Sequence, residues 1–398
     1  MTYQCEQYNG GMIGSILETI EELNHLKDVD AILDKILYES RRISNADAGS
    51  IFIAEKDRLR FGYVHNDTLT IGDSNIDLYA LWADHYVYVV STNSSIERFA
   101  INADNYIHRM DSISGSFTSL GINTHTKYIY TWDSPNTTIS SYSIGSDGAL
   151  THESSTGSIN GITNMAMTHN ATGPDFIFMA YRPGGTGYIS RTSVNGDTIT
   201  SLGNTHTSNL FWNIRPFLHS SQDVLYMQHK SPLYYSVHSH DNNGDVSYQS
   251  RVAIDGSCYG KNVVMNPSGT KLYIAGSDGV HHMDVAPNGD LSNDETVPTS
   301  WTPLDIAIHP SEDWLYLSGN DGNIYRFELV SGDPQAPAAY SSAAGVSNIN
   351  VISSDLVITT SVIDSRVEVW TINTSDGSLS KKDEISCTSP SSFVFYDI

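Results

Sequence analysis

One pattern constrains this chain more than any other: an alternating apolar and aromatic strand that returns seven times. It reads YVYVV (86–90), YIYTW (128–132), FIFMA (176–180), VLYMQ (224–228), KLYIA (271–275), WLYLS (314–318) and LVITT (356–360). With Tyr88, Tyr130, Phe178, Tyr226, Tyr273, Tyr316 and Ile358 taken as equivalent, the steps are 42, 48, 48, 47, 43 and 42 residues. A second marker runs in phase with the first, a tight polar turn. It appears as SDGALT (146–151), NGDTIT (195–200), NGDVSY (243–248), NGDLS (288–292), SGDPQ (331–335) and SDGSLS (375–380), with Asn102-Ala103-Asp104-Asn105 in the first repeat. Asn-Gly and Asp-Gly tolerate the positive φ that two-residue hairpins need. Units of this length, built of alternating strands and such turns, hold four strands each. Seven in series predict an all-β fold, a seven-bladed β-propeller over residues 84–398.

Each blade reads outward from the channel as strands a, b, c and d, with the aromatic strand as b. Residues 117–122, 164–169, 214–219, 262–266, 304–309 and 348–352 are candidate a strands. That is six for seven blades. The seventh is the C-terminal run 392–397, expected beside Tyr86 to Val90, where it closes the ring and removes an exposed edge. The alternative gives that place to residues 78–82.

Composition narrows the function classes. The chain has 398 residues, 39% hydrophobic and 17% charged, which suits one large folded domain plus a small module. A formal net charge of −24 disfavours nucleic acid and anionic membranes as partners. Cys5, Cys258 and Cys387 are too few and scattered for a disulfide framework or a zinc ribbon. No window has the roughly 18 apolar residues of a membrane span. The N-terminus lacks the basic-then-apolar build of a signal peptide, so a cytoplasmic location is expected.

The first eighty residues follow another rule. Ile13, Ile16, Leu17, Ile20 and Leu23 recur at helical spacing, and Asp28 caps a second helix with the stripe Ile32, Leu33, Ile36, Leu37 and Ile43. Two strands, 50–53 and 58–63, then flank the turn Glu55-Lys56-Asp57. The stretch ILYESRRISNADAGSIFIAEKDRLRFGYVHNDTL (36–69) resembles the opening of a GAF domain of bacterial signalling proteins that handle cyclic dinucleotides, above all in NADAGSIFI and RLRFGYVHNDTL. The likeness covers about the first 75 residues and then stops, before the pocket-forming part of that fold. It implies shared ancestry without small-molecule sensing. The expected division is a partial GAF-like segment over 1–76 and the propeller over 84–398. The segment would serve as a self-associating helical pair, a cap on the propeller, or a remnant of gene fusion.

The propeller itself, in HYVYVVSTNSSIERFAI, SPNTTISSYSIGSDGALT and DSRVEVWTINTSDG, resembles the lactonase-type propellers, a group that includes 6-phosphogluconolactonases and muconate-cyclising enzymes. These phrases are blade scaffolding, so the resemblance implies the fold and leaves the family's His/Arg/Glu set unplaced. Ligands are expected on the face where the b–c and d–a loops converge. That face would carry Trp132, Tyr181, Arg182, Trp212, Arg215, His229, Lys230, Tyr259, Lys261 and Trp301. Only 21 residues are Lys or Arg, and several fall in these loops, which suits an anionic or sugar-like ligand.

Other constellations favour structural readings. His169, His219 and His309, with His125 comparable, lie at a–b turns on the opposite face and read as turn chemistry. His238 and His240 share one side of a strand, but no third metal ligand is evident. Asp241, Asn243 and Asp245 begin like an EF-hand loop, which then fails at Val246 and Val252. There is no GxSxG, P-loop or CxxC pair, so no metal and no cofactor are expected. Three functions remain: a propeller that binds a small molecule, glycan or protein on its top face, a lactonase-like hydrolase using His229 and Arg182, and a signalling adaptor acting through the GAF-like segment.

Overall fold

The computed structural model describes residues 83–397 apart from 92–94, 134–137, 157–161, 169–173, 182–186, 209–214, 220–221, 231–232, 259–261 and 343–345, together with 36, 48–55, 58–66 and 77–78. The chain divides into two units, Met1–Trp82 with Asn102–Asp104, and the remainder. In the first unit Ala48–Glu55 pairs antiparallel with Arg58–Asn66, the hairpin expected from its alternation, and Asp77–Leu78 adds a third strand against Arg60 and Leu59. Leu78 thus pairs with this hairpin and not with a blade. The two helices expected before residue 44 lie outside the described residues, Ile36 apart.

The second unit is the seven-bladed propeller. Blade 1 runs Pro390–Asp397, Ala83–Ser91, Ser95–Asn102 and Ile107–Ser114 from the axis outward, so the C-terminal strand is its strand a. Phe393 pairs with Val89, Val394 with Tyr88 and Phe395 with Val87. Blade 2 is Ser119–Asn123, Tyr128–Asp133, Thr138–Ile144 and Leu150–Ser155, and blade 3 is Ile162–Met167, Asp175–Tyr181, Gly187–Asn195 and Thr198–Ser208. Blade 4 is Arg215–Leu218, Val224–Lys230, Leu233–His240 and Val246–Ala253, and blade 5 is Val263–Met265, Lys271–Ala275, Gly279–Val285 and Leu291–Pro298. Blade 6 is Pro303–Ile308, Trp314–Gly319 and Asn323–Val330, its outer strand split into Asp333–Pro334 and Ala338–Ser341. Blade 7 is Val346–Ser353, Leu356–Ser361, Arg366–Ile372 and Leu379–Ser386.

Both faces of a blade pack on neighbours, so the b strands are buried along their length, as in Trp314–Gly319. The d strands keep one wet face, as in Leu291–Pro298. The two sequence markers meet at the seams between blades. The b-strand tyrosine of one blade donates its hydroxyl to the turn glycine carbonyl of the next. Tyr88 reaches Gly148 at 2.7 Å, Tyr130 Gly196 at 3.2 Å, Tyr226 Gly289 at 2.8 Å, Tyr273 Gly332 at 2.7 Å and Tyr316 Gly377 at 2.8 Å. The residue two positions earlier lies over the same glycine. Gly377 has φ +69°, and a Cβ there would sit 2.5 Å from the Trp314 ring, so only glycine fits. Arg98 and Arg191 reinforce two seams, donating to Asp147 and Asn243 carbonyls at 2.6 and 3.1 Å.

Two seams depart from the rule. Phe178 has no hydroxyl for Gly244, and blade 7 offers Ile358. Blade 7 is instead tied to blade 1 by Ile107 donating to Asp383, Arg109 to the Ser386 carbonyl and the Thr388 N–H to Glu97.

Two predictions follow from these seams. Tyr316→Phe should lower stability by about 1–2 kcal/mol, because it strands a buried carbonyl. Phe178→Tyr should raise it by about 1 kcal/mol by supplying the absent latch. Urea midpoints of the two variants check both signs. Deleting residues 391–398 removes an a strand and the Phe393 and Phe395 side chains packed on the blade 1/7 core. At roughly 1.5–3 kcal/mol per buried side chain, against a usual net stability of about 5–15 kcal/mol, the truncated chain should show no cooperative melt. A melt displaced by only a few degrees would refute closure by this strand.

Candidate functional site

The a strands stand around the axis and leave a cavity of about 510 Å³ between blades 5, 6, 7 and 1. Its wall includes Asn262, Asp305, Asn348, Asn350 and Ser392 beside the apolar Val264, Ile308 and Phe393. The strand order puts the b–c and d–a loops at one end of the barrel of blades, and Asn262, Asp305, Asn348 and Ser392 lie toward that end of their strands.

Three of these groups form a staircase. Asn262 Nδ2 donates to the Leu304 carbonyl at 3.3 Å, the Ile349 N–H donates to Asp305 at 2.8 Å, and Asn348 Nδ2 donates to the Ser391 carbonyl at 3.2 Å. Each thus joins its blade to the next and is held in one orientation. Asn348 Nδ2 also donates to Thr360 Oγ1 at 3.0 Å, which leaves its amide oxygen as the uncommitted polar atom. The Asn350 side chain makes no hydrogen bond among the described residues, and Ser392 Oγ is buried without a partner among them. The wall is therefore preorganised, largely uncharged, and has spare hydrogen-bonding capacity.

The expected site residues are placed as follows. Tyr181, Arg215 and Lys230 sit at strand ends facing the b–c or d–a loops. Arg182, Trp212, Tyr259 and Lys261 lie outside the described residues. Trp132 is buried among Ile139, Met167 and Met179. Trp301 is half-buried and stacked on Tyr325, ring centroids 3.7 Å apart and planes 7° apart. His229 is fully buried, stacked on Tyr234 at 4.1 Å, with Nε2 2.7 Å from Ser236 Oγ. His238 Nε2 approaches the same hydroxyl at 2.8 Å. The second histidine of the expected pair, His240, lies against the Phe178 ring, 5.3 Å away. His219 and His309 donate across seams to the Gly269 and Ser354 carbonyls at 3.1 and 2.8 Å, the turn role expected of them. Asp241 caps its own turn, accepting from the Asn243 and Asp245 N–H groups at 2.9 and 2.8 Å. No group of three metal-ligating side chains occurs among the described residues.

Sequence reasoning missed one constellation, because its members lie up to 37 residues apart, from Ser257 to Asp294. Ser257 Oγ is 2.9 Å from His281 Nε2, and His281 Nδ1 is 3.3 Å from Asp294, the order of nucleophile, base and orienter. The chemistry does not follow. Asp278 occupies the same Nε2 at 2.9 Å. Burial opposes charge on this imidazole, but Asp294, Cys258 and Asp278 outweigh it and push its pKa up to about 11. A cation cannot take the serine proton. The N–H groups of Ser257 and Cys258, which would form an oxyanion hole, are already bonded to Asp255. The cluster anchors the blade 4 to blade 5 connection.

This arrangement has a sign in pH. His281 has its pKa raised, so its stabilising contribution is full below the unfolded value near 6.5 and fades as pH rises toward about 11. His219, His240 and His282 have theirs lowered, chiefly by burial, so their contribution is present above about 6.5 and lost as pH falls. His281→Gln should therefore cost most stability near pH 6 and progressively less by pH 9, in urea titrations against the parent protein. A penalty that grows with pH would contradict a cationic His281.

No family model and no curated protein matches the chain. The GAF-like reading of residues 36–69 accordingly gains no independent support. Solved structures do match. A Bacteroides fragilis protein provisionally assigned as a 6-phosphogluconolactonase superposes with a TM-score of 0.65 at 15% identity, covering 79% of this chain and 99% of that one. The periplasmic gluconolactonase of Pseudomonas aeruginosa gives 0.65 at 12%, covering 78% and 99%. A Lactobacillus plantarum protein gives 0.64 at 12%, covering 79% and 100%. At such identities the likeness is one of architecture: this chain carries a seven-bladed β-propeller like those of lactonase-type structural neighbours.

Proposed function

We propose that this propeller is a binding module whose ligand, a small molecule, a glycan or a segment of a protein, enters from the face of the b–c and d–a loops and seats in the axial cavity. One observation carries the reading: the cavity wall holds fixed, partly unsatisfied polar groups, whereas the constellations resembling catalytic sets are committed elsewhere. His229 is locked between Tyr234 and Ser236, and His281 is held as a cation between Asp278 and Asp294. Tyr181, Arg182, Trp212, Arg215, Lys230, Tyr259, Lys261 and Trp301 are proposed to frame the entrance; the Trp132 ring, buried among Ile139, Met167 and Met179, is left out of it. Residues 1–76 are proposed to be a separate segment with no blade strand of its own.

The second reading is a lactonase-like hydrolase of a sugar lactone. It is favoured by structural neighbours whose names denote lactonases. Assaying the full chain against a panel of sugar lactones separates the two. A binding module should give no hydrolysis above the spontaneous rate, and His229→Ala should lower melting temperature without any activity to lose. Turnover abolished by Arg182→Ala or His229→Ala, with the fold intact, would establish the enzyme instead.

A further inference from the structure

We infer that the axial cavity is built for a neutral, polyhydroxylated ligand, one or two sugar rings in size, in preference to a phosphorylated or carboxylated one. This rests on the proposal that the cavity is the binding site and names the class of ligand for it. The argument starts from what the wall lacks and offers. Asn350 has a whole amide to give, donor and acceptor, and Ser392 has a buried hydroxyl that makes no hydrogen bond among the described residues. Asn348 is turned so that its NH2 is spent on Thr360 and Ser391, which leaves its oxygen as an acceptor. Donors and acceptors in roughly equal number, and uncharged, are what a row of hydroxyls satisfies.

An anion would meet the wrong chemistry. The described lining includes the Asp305 carboxylate and no Lys, Arg or His. A buried anion without an opposite charge or several N–H donors costs more than its contacts return. Phe393, with Ile308 and Val264, supplies apolar surface for the C–H face of a ring. The volume, about 510 Å³, lies within the usual range of small-ligand sites, roughly 300–1,000 Å³. Orientation comes from the staircase: Asn348 is fixed by the neighbouring blade, so the ligand does not bear the cost of ordering it.

The test is calorimetric titration of the full chain with four probes: glucose, cellobiose, 6-phosphogluconate and spermidine. Glucose or cellobiose should bind, and 6-phosphogluconate should bind at least about tenfold more weakly, a difference of about 1.4 kcal/mol. Asn350→Leu and Ser392→Ala touch groups that hold no internal hydrogen bond, so melting temperature should stay unchanged while neutral-sugar affinity drops about tenfold. Tighter binding of 6-phosphogluconate or spermidine than of either sugar, weakened by Asn350→Leu, would overturn the ligand class and keep the cavity as the site. Sugar binding indifferent to both variants would place the site elsewhere. No binding by any of the four would overturn this inference, while the lactone assay and a search for a protein ligand would still judge the broader reading.

Discussion

A blade of this propeller cannot bury either of its faces alone, so everything rests on the joint between neighbouring blades. At five of the seven seams that joint is one repeated interaction. A buried tyrosine hydroxyl meets the carbonyl of a left-handed glycine, while the residue two positions earlier covers the glycine's bare Cα. The contact needs the turn to be at one height and the b strand in one register, so it sets the angle between blades as well as holding them. Because the side-chain period of a strand is two, a slip of one residue would turn the tyrosine to the opposite seam and remove the latch. The axial cavity exists only where these angles close, which makes the site a consequence of the turns on the far face.

The two ends of the propeller spend their polar groups differently. On the face of the a–b and c–d turns, histidine and asparagine side chains cap turns and bridge to the next blade, as His309 does to Ser354. On the other face, buried c-strand residues anchor the long d–a connections. Glu97 receives the Thr388 N–H, Glu368 the Ser342 hydroxyl, and His281 meets Ser257, while Tyr325 stacks under Trp301. Four chemistries thus perform one task, holding a connection over the top of a blade. Seen beside its counterparts, the serine–histidine–aspartate geometry in blade 5 is another anchor, consistent with a histidine that Asp278 and Asp294 keep charged.

The architecture was legible because it is periodic. Tyr88, Tyr130, Tyr226, Tyr273 and Tyr316 announced the b strands, the Asn-Gly and Asp-Gly pairs announced the hairpins, and a missing a strand pointed to residues 392–397. The site was less legible because neighbouring blades supply it and no local motif records that. Trp132 and Trp301 attracted notice as loop aromatics, yet their rings are largely taken up by neighbours, since aromatic surface near a seam gains more from packing than from water. Asn262, Asp305 and Asn348 passed as strand scaffolding. Their signal was phase: they precede Tyr273, Tyr316 and Ile358 by 11, 11 and 10 residues. A polar residue repeated at that phase on strands that line an axis marks a wall.

The seam between blades 3 and 4 shows how a repeat absorbs an exception. Phe178 brings no hydroxyl to it, and the facing side of blade 4 carries His229, Ser236, His238 and His240 among apolar neighbours. One serine hydroxyl has a single hydrogen and two lone pairs, and both imidazole Nε2 atoms lie within 2.8 Å of it. If both rings are neutral, at most one can receive the serine proton, so the other must present its own N–H. At least one of the two histidines then donates its Nε2–H to that oxygen. Such an arrangement leaves little freedom to the strands carrying it, since Met227 faces Ser236 and Leu225 faces His238 in the same ladder. Across the seam itself the place of the tyrosine latch is taken by Arg191 of blade 3, which donates to the Asn243 carbonyl and pairs with Asp245 in the blade 4 turn, while the polar knot ties the b and c strands within blade 4.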